Sequence, residues 1–279
     1  MGVQATVVYS RAGGPYTFFI QRDTYSCVRP DVHDAWLEKV LSEFTQELRQ
    51  LLLSDLVAIV LYGSGAGKDF VPDLSDINVV IAVRELRFDI LQKLQPRMAT
   101  WHKQGFAMPL LVDHEFLQRA RDVFPMEFHD IKAQHRLLWG EDIFQELTLD
   151  SRNLRFQAEH EARSKLLRLR ALYLECAGDV PRLRALMVDS SKTFLVLMRH
   201  LIRLHGHTNV SAYDEVLSRF ERVFSLTFPR IRQLVAIRAG RQSWPTEPLV
   251  DFFREYLTEV QRIIEVLDST PSGPSSADA

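Results

Sequence analysis

The spacing of apolar residues changes character near residue 150. Before this point, short runs of consecutive apolar residues alternate with stretches in which apolar residues recur at helical spacing. Short runs bounded by glycine or proline are typical of buried strands, and the helical spacing predicts helices that pack on them. After residue 150 every apolar pattern is helical. The chain is therefore expected to contain a mixed α/β part followed by an all-helical part.

The first part opens with apolar residues at helical spacing, which predict a helix over 34–53. The apolar run 56–62 is followed by a glycine, and its length favours a buried strand. A similar run over 77–83 predicts a second strand. Further elements are predicted along this part: a helix over 86–102, a third strand at 110–112, a short helix over 115–121 and a fourth strand at 126–131.

The second part is predicted to hold helices over 153–177, 182–204, 213–224, 228–239 and 248–267. The first 30 residues have weak periodicity and contain a Gly-Gly-Pro turn signal, and the last residues are rich in Ser, Pro and Ala. We therefore predict an α+β protein. Its expected parts are a loosely ordered arm over 1–30, a small mixed-sheet domain over 31–150, a helical bundle over 151–268 and a disordered tail over 269–279.

The composition is that of an ordinary globular protein, with 46% hydrophobic and 25% charged residues. No apolar run approaches the roughly 18 residues that a membrane-spanning helix needs. The N-terminus lacks a signal-peptide pattern, and the two cysteines lie far apart, so we expect a cytoplasmic protein without a membrane association. A net charge of −2 argues against strong nucleic-acid binding.

The charge is unevenly distributed along the chain. Residues 1–150 hold 15 Lys and Arg against 21 Asp and Glu, whereas residues 151–267 hold 19 against 13. One interpretation is a metal-binding half that faces a half which receives an anionic substrate. The other is that arginine is frequent on the solvated faces of helices.

The most specific pattern lies between the first two predicted strands. Gly63 and Ser64 end the first strand, and Asp76 and Asn78 begin the second. Residues two apart on a strand point to the same face, where their oxygen atoms could bind Mg²⁺. A glycine-serine turn lets backbone N–H groups and a hydroxyl approach phosphate groups closely.

A phosphate-binding P-loop is excluded, although the stretch 65–68 resembles part of one. That motif needs a glycine five residues before the second glycine and a serine or threonine after the lysine. This chain has Tyr62 and Asp69 at those two positions.

An apolar strand that ends in Gly-Ser, followed by a short segment and an Asp-x-Asp pair in a second apolar strand, is the signature of the polymerase-β-like nucleotidyltransferases. Residues 61–81 resemble this signature, with Asn78 at the second acidic position. Residues 124–142 resemble the third catalytic strand of bacterial nucleotidyltransferases and the turn after it. The resemblance covers 34–146, and the C-terminal half resembles the bundles of aminoglycoside nucleotidyltransferases.

The resemblance implies transfer of a nucleoside monophosphate from a nucleoside triphosphate to a hydroxyl acceptor, a small molecule or a protein side chain, with Mg²⁺. It implies that Gly63 and Ser64 bind phosphate, and that Asp76, Asn78 and a third carboxylate bind the metal. By position in the predicted fourth strand the third carboxylate is Glu127.

Several positions remain open. Asp130 and then Asp113 are the alternatives to Glu127 as the third carboxylate. Glu159 opens the first bundle helix, where the resemblance implies a base that activates the acceptor. A carboxylate stabilised by the helix dipole explains Glu159 equally well. His129 and His135 flank the proposed third strand and are candidate bases or ordinary solvated side chains.

Asn78 leaves two functional hypotheses open, because an amide oxygen can bind a metal ion but carries no charge. In the first, the protein is a nucleotidyltransferase that works slowly or with one Mg²⁺ held by Asp76 and Glu127. In the second, it is a nucleotide-binding or protein-interaction module. The second hypothesis predicts a stable partner or a homodimer.

Overall fold

The computed structural model describes residues 30–67, 75–207, 210 and 212–270, with side chains from residue 35 onward. The predicted N-terminal arm and nearly all of the predicted tail lie outside the described residues. The described part contains a mixed four-stranded sheet and helices, followed from residue 151 by helices alone. This is the α+β fold class that the sequence predicts.

The sheet has the strand order β3-β2-β1-β4. The strands are β1 (Leu56–Tyr62), β2 (Asn78–Val83), β3 (Leu110–Asp113) and β4 (His135–Gly140). The central strand β1 pairs antiparallel with both β2 and β4, and β2 pairs parallel with β3. The predictions of the first three strands are confirmed.

Each face of the sheet is covered by helices because side chains on a strand alternate between the two faces. One face packs against α1 (Pro30–Leu52), α2 (Phe88–Leu94) and α3 (Met98–Lys103). The other face packs against α4 (His114–Ala120) and α5 (Pro125–Ala133). We call the second the α5 face of the sheet. Ala58, Val60, Val80 and Ala82 belong to the α5 face.

The helix predicted over 86–102 is in fact two short helices. A turn of 3-10 helix, Gln95–Arg97, separates α2 from α3 and contains Pro96. Proline has no backbone N–H and its ring collides with the preceding turn of an α-helix, so the helix is interrupted there.

The fourth strand predicted at 126–131 is wrong, since these residues form part of α5. Pro125 occupies the first turn, where its fixed backbone angle favours a helix. Phe128 and Ile131 are both buried three residues apart, which is helical spacing. The fourth strand is β4, and its last four residues, 137–140, are those in which the resemblance placed the turn after the third catalytic strand.

The five predicted bundle helices are confirmed. They are α6 (Ser151–Cys176), α7 (Val180–Leu204), α8 (Tyr213–Phe224), α9 (Pro229–Arg238) and α10 (Leu249–Ser269). The carboxylates of Asp150 and Asp179 cap α6 and α7 by accepting hydrogen bonds from their first-turn N–H groups. Among the described helices, none is both long enough and apolar enough to cross a lipid bilayer.

Helix α5 contributes to two of the three hydrophobic cores in the described part of the chain, that of the α5 face of the sheet and that of the bundle. Phe128 and Ile131 pack in the core of the sheet, whereas Met126 packs in the core of the bundle. A helix that contributes to two cores ties the position of the bundle to that of the sheet.

Gly140, the last residue of β4, tests how closely β4 approaches β1. Gly140 has a φ of 86°, and a Cβ atom there would lie 2.0 Å from the carbonyl oxygen of Val57. We expect Gly140→Ala to lower the free energy of unfolding by more than the ~1–3 kcal/mol of backbone strain alone. Gly240, with a φ of 66° and open space around it, is the matched control. Urea denaturation should show a clearly smaller loss for Gly240→Ala, and equal losses would contradict the close approach at Gly140.

Candidate functional site

The antiparallel pairing of β1 and β2 places Asn78 directly opposite Tyr62. Asn78 lies two residues before Val80, and Tyr62 lies two residues after Val60. Residues two apart on a strand share a face, so both side chains lie on the α5 face of the sheet. The extended backbone continues through Ile77, which puts Asp76 on the same side. The Asp76 side chain is exposed and that of Asn78 is half-buried.

The turn after β1 lies against Asn78. Residues Gly63–Ala66 form a turn of 3-10 helix, and Gly63 has a φ of 70°. A Cβ atom on Gly63 would lie 3.5 Å from Asn78 Nδ2. Ser64 is half-buried in this turn, one residue beyond Gly63. The structure therefore brings the Gly-Ser pair and the Asp-x-Asn pair to one edge of the sheet, as the sequence predicts.

The Asn78 amide is oriented by a local contact. Its Nδ2 donates a hydrogen bond of 3.2 Å to the carbonyl oxygen of Asp76. Because the Nδ2 makes this contact, the Asn78 Oδ1 is the atom of the amide that can act as a metal ligand.

Glu127 lies in the first turn of α5, over the same face of the sheet. Burial raises the pKa of the Tyr62 hydroxyl, and the negative charge of Glu127 raises it further, which places Glu127 near Tyr62. The Glu127 side chain is exposed, and its Oε2 accepts a hydrogen bond of 2.8 Å from Gln157 Nε2. Glu127 therefore approaches the α5 face of the sheet from a helix and not, as we predicted, from a strand.

Asp130, the first alternative to Glu127, faces the bundle. Its carboxylate accepts hydrogen bonds from Arg199 at 3.3 Å and from Arg203, and His200 Nε2 lies 3.5 Å away. Burial alone would raise the pKa of Asp130, but His200 and the two arginines outweigh it and hold the pKa well below its usual range. Asp130 is thus the anion of an ionic cluster between α5 and α7.

Asp113, the second alternative, caps α4. Its carboxylate accepts hydrogen bonds from the N–H groups of Phe116 at 2.7 Å and Leu86 at 3.0 Å. The hydrogen bond from Phe116 is the main reason why the pKa of Asp113 is lowered. In the parallel pairing of β2 with β3, Asp113 lies opposite Val83, at the end of β2 that is remote from Asn78.

Glu159 lies where α6 contacts the end of α10. It forms ion pairs with Arg155 at 3.1 Å and Arg163 at 3.2 Å, and Arg163 also binds Asp268 of α10. Successive residues of an α-helix are about 100° apart around its axis, so the side chains of Gln157 and Glu159 point in directions about 200° apart. Glu159 therefore points away from the side of α6 on which Gln157 meets α5. This position does not support the expected role as a base at the edge of the sheet.

The two histidines considered as bases have different surroundings. Both ring nitrogens of His135 are occupied, Nδ1 by the carbonyl oxygen of Ile131 at 3.0 Å and Nε2 by Asp142 at 3.2 Å. His129 is partly buried, and its Nε2 has no hydrogen-bond partner among the described residues. Burial, followed by the positive charge of Arg203, lowers the pKa of His129 to about 4. His129 is therefore neutral near pH 7.

The candidate metal ligands are all oxygen donors. Asp76, Asn78 and Glu127 offer two carboxylates and one amide oxygen, the hard donors that Mg²⁺ prefers. Within the described ranges, no group of three or more His, Cys, Asp or Glu side chains could hold a metal ion. The oxygen donors fit Mg²⁺, with one negative charge fewer than three carboxylates would supply.

Two surface cavities lie elsewhere. One, of about 450 Å³, is lined by Phe116, Val123 and Phe124 beside α4, and another, of about 430 Å³, lies between α6 and α10. Asp76 and Asn78 line neither cavity, so the end of the sheet at which they lie is separate from both cavities.

The ionic cluster around Asp130 yields a test of stability. We expect Asp130→Asn to lower the free energy of unfolding at pH 7 by about 3–5 kcal/mol, because Arg199 and Arg203 would keep buried charges without a counter-ion. Because the folded-state pKa is depressed, this contribution is present above the unfolded pKa and is lost as the pH falls toward the folded value. Asp251 forms an exposed ion pair with Arg254, so Asp251→Asn should change stability by less than ~1 kcal/mol. Similar losses in the two variants, measured by urea denaturation at pH 7, would contradict the assignment, as would a loss for Asp130→Asn that is no smaller at about pH 2 than at pH 7.

Comparison with known proteins supports the fold. No protein-family model and no curated protein matches the chain. Among solved structures, the fold is similar to spectinomycin adenyltransferase AAD(9) from Enterococcus faecialis, solved with ATP and spectinomycin. The TM-score is 0.53 at 12% sequence identity, and the match covers 83% of this chain and 99% of that chain. The chain therefore has a nucleotidyltransferase-like fold, in which a mixed sheet precedes a helical bundle.

Proposed function

We propose that the protein transfers a nucleoside monophosphate from a nucleoside triphosphate to a hydroxyl acceptor. The observation that carries this proposal is that Asp76 and Asn78 lie on the α5 face of the sheet, beside the turn that contains Ser64, while Glu127 lies over that face in the first turn of α5. The fold likeness to an ATP-binding adenyltransferase supports it. A hydroxyl-bearing small molecule is the acceptor class that this likeness favours.

The proposed roles follow from the chemistry of each group. Backbone N–H groups after Gly63 and the Ser64 hydroxyl would bind the phosphate oxygens. Asp76, Asn78 Oδ1 and Glu127 would hold Mg²⁺, which supplies positive charge for the phosphates when bound. Glu159 is not assigned a role, since it lies on another side of α6.

The transfer itself is an in-line displacement. The acceptor oxygen forms a bond to the α-phosphorus of the nucleotide, and the bond from that phosphorus to the bridging oxygen breaks. Pyrophosphate leaves with the electron pair, and the proton of the acceptor hydroxyl is released to water. The protein contributes position and charge, which account for most of the catalysis in phosphoryl transfer.

A second candidate function is a binding module that holds a nucleotide without transferring it. Asn78 favours this alternative, because the site has one carboxylate fewer than two Mg²⁺ ions and a triphosphate require. The two functions differ when the protein is incubated with a nucleoside triphosphate and hydroxyl acceptors. A transferase releases pyrophosphate, whereas a binding module does not.

The nucleotide site is tested by calorimetry with ATP and with GTP, first with Mg²⁺ and then with EDTA. We expect binding that depends on Mg²⁺ and that Asp76→Ala abolishes, because that variant removes a charged oxygen ligand. Asp189→Ala is the matched control, since Asp189 lies on α7 and is half-exposed in an ion pair with Lys192. Binding retained by Asp76→Ala, or binding indifferent to EDTA, would sink the proposal.

The charge deficit at Asn78 yields a further prediction. Asn78→Asp should bind the Mg²⁺–ATP complex about tenfold more tightly, or better. An added charge near a divalent cation contributes on the order of 1–4 kcal/mol at the dielectric constants of protein surfaces. The same calorimetric titration measures this affinity, and weaker binding by Asn78→Asp would show that residue 78 does not face the metal.

A further inference from the structure

One side chain of the bundle forms two hydrogen bonds to the helix that carries Glu127. Gln157 of α6 is half-buried, and its Oε1 accepts a hydrogen bond of 2.7 Å from the backbone N–H of Met126. Its Nε2 donates a hydrogen bond of 2.8 Å to Glu127 Oε2. Both partners lie in the first turn of α5. A single amide therefore holds the start of the helix and the carboxylate that projects from it.

The two contacts need a side chain that both accepts and donates a hydrogen bond, and the glutamine amide does both. The first N–H groups of a helix have no partner within it, and α5 receives no side-chain cap from Phe124. An acceptor must therefore come from elsewhere, while a carboxylate such as Glu127 needs a donor. A glutamate at position 157 could cap the helix but would repel Glu127, and a lysine could bind Glu127 but could not cap the helix.

Glu127 depends on this contact for its orientation. Its side chain is exposed, and in the described part of the chain Gln157 is the side chain that hydrogen-bonds to it. An exposed glutamate without such a contact samples several rotamers. Gln157 binds Oε2, which leaves Oε1 as a ligand oxygen, and the negative charge of Glu127 acts on Tyr62 of the α5 face.

We propose that Gln157 is a positioning residue, which orients the Glu127 carboxylate toward the metal ligands Asp76 and Asn78. This inference rests on the proposed function, since it concerns the same metal site. Met126 packs in the core of the bundle, so the first turn of α5 follows the position of the bundle. The bundle thereby sets the geometry of a site whose other ligands belong to the sheet.

The test measures Mn²⁺ binding in the presence of ATP, followed by the electron paramagnetic resonance signal of free Mn²⁺. Gln157→Met keeps the size of the side chain and removes both hydrogen bonds. We expect its affinity for Mn²⁺ to fall about 10–100-fold, the usual effect of losing a residue that orients a metal ligand. Gln261→Met is the matched control, because Gln261 is also half-buried and lies on α10 of the bundle. This control should bind Mn²⁺ as the wild type does.

A second variant separates orientation from stability. Adding Phe124→Ser to Gln157→Met supplies a serine at the N-cap of α5, so the melting temperature should recover while Mn²⁺ affinity stays low. If the affinity recovers as well, Gln157 acts only as a helix cap and the inference fails. In a Glu127→Ala background, Gln157→Met should cause no further loss of affinity, whereas a loss in both backgrounds would also overturn it.

The remaining outcomes distinguish this inference from the function on which it rests. Equal Mn²⁺ affinities of the wild type and Gln157→Met overturn the role of Gln157 and leave the metal site intact. A wild type that binds no Mn²⁺ with ATP overturns the proposed function and this inference together.

Discussion

The antiparallel register of the two central strands determines where every other part of the candidate site lies. Because Tyr62 is paired with Asn78, the turn that follows β1 meets the residues that begin β2. The alternation of side chains then sends Asn78 and Asp76 to the α5 face, while Val79 and Ile81 fill the core beneath α1. A register shift of one residue would exchange the two faces and bury the polar pair. The apolar residues of both strands therefore fix the position of the polar ones.

Helix α5 connects this end of the sheet to the bundle. Its buried residues belong to two cores, since Phe128 packs in the core of the α5 face of the sheet and Met126 packs in the core of the bundle. Its polar residues divide in the same way, since Glu127 lies near Tyr62 and Asp130 binds two arginines of α7. A buried ionic cluster stabilises only the arrangement in which its charges are paired, because an unpaired buried charge is costly. The bundle thus holds α5 at two points, and Glu127 projects from the first turn of that helix.

The sequence predicts the fold class, the first three strands and the bundle helices, because each depends on a local apolar pattern. That Gly63, Ser64, Asp76 and Asn78 meet is what the resemblance of residues 61–81 to the nucleotidyltransferase signature implies. The sequence prediction fails at 126–131, where the resemblance to the third catalytic strand of bacterial nucleotidyltransferases suggested a strand. Pro125 and the spacing of Phe128 and Ile131 were the signals of a helix. Gln157 has no signal in the sequence, since its role arises from a contact between α5 and α6 across 30 residues of chain.

Asp76, Asn78 and Glu127 are proposed to surround one metal ion beside the turn after β1. Paramagnetic broadening of backbone amide resonances by Mn²⁺, with ATP present, tests that placement directly. We expect the strongest broadening at Gly63, Asn78 and Glu127. Weaker effects are expected at Asp113, which is paired with Val83 about 16 Å farther along β2 at the usual rise of a strand. Broadening centred on Asp113, or on the bundle alone, would contradict the proposed placement.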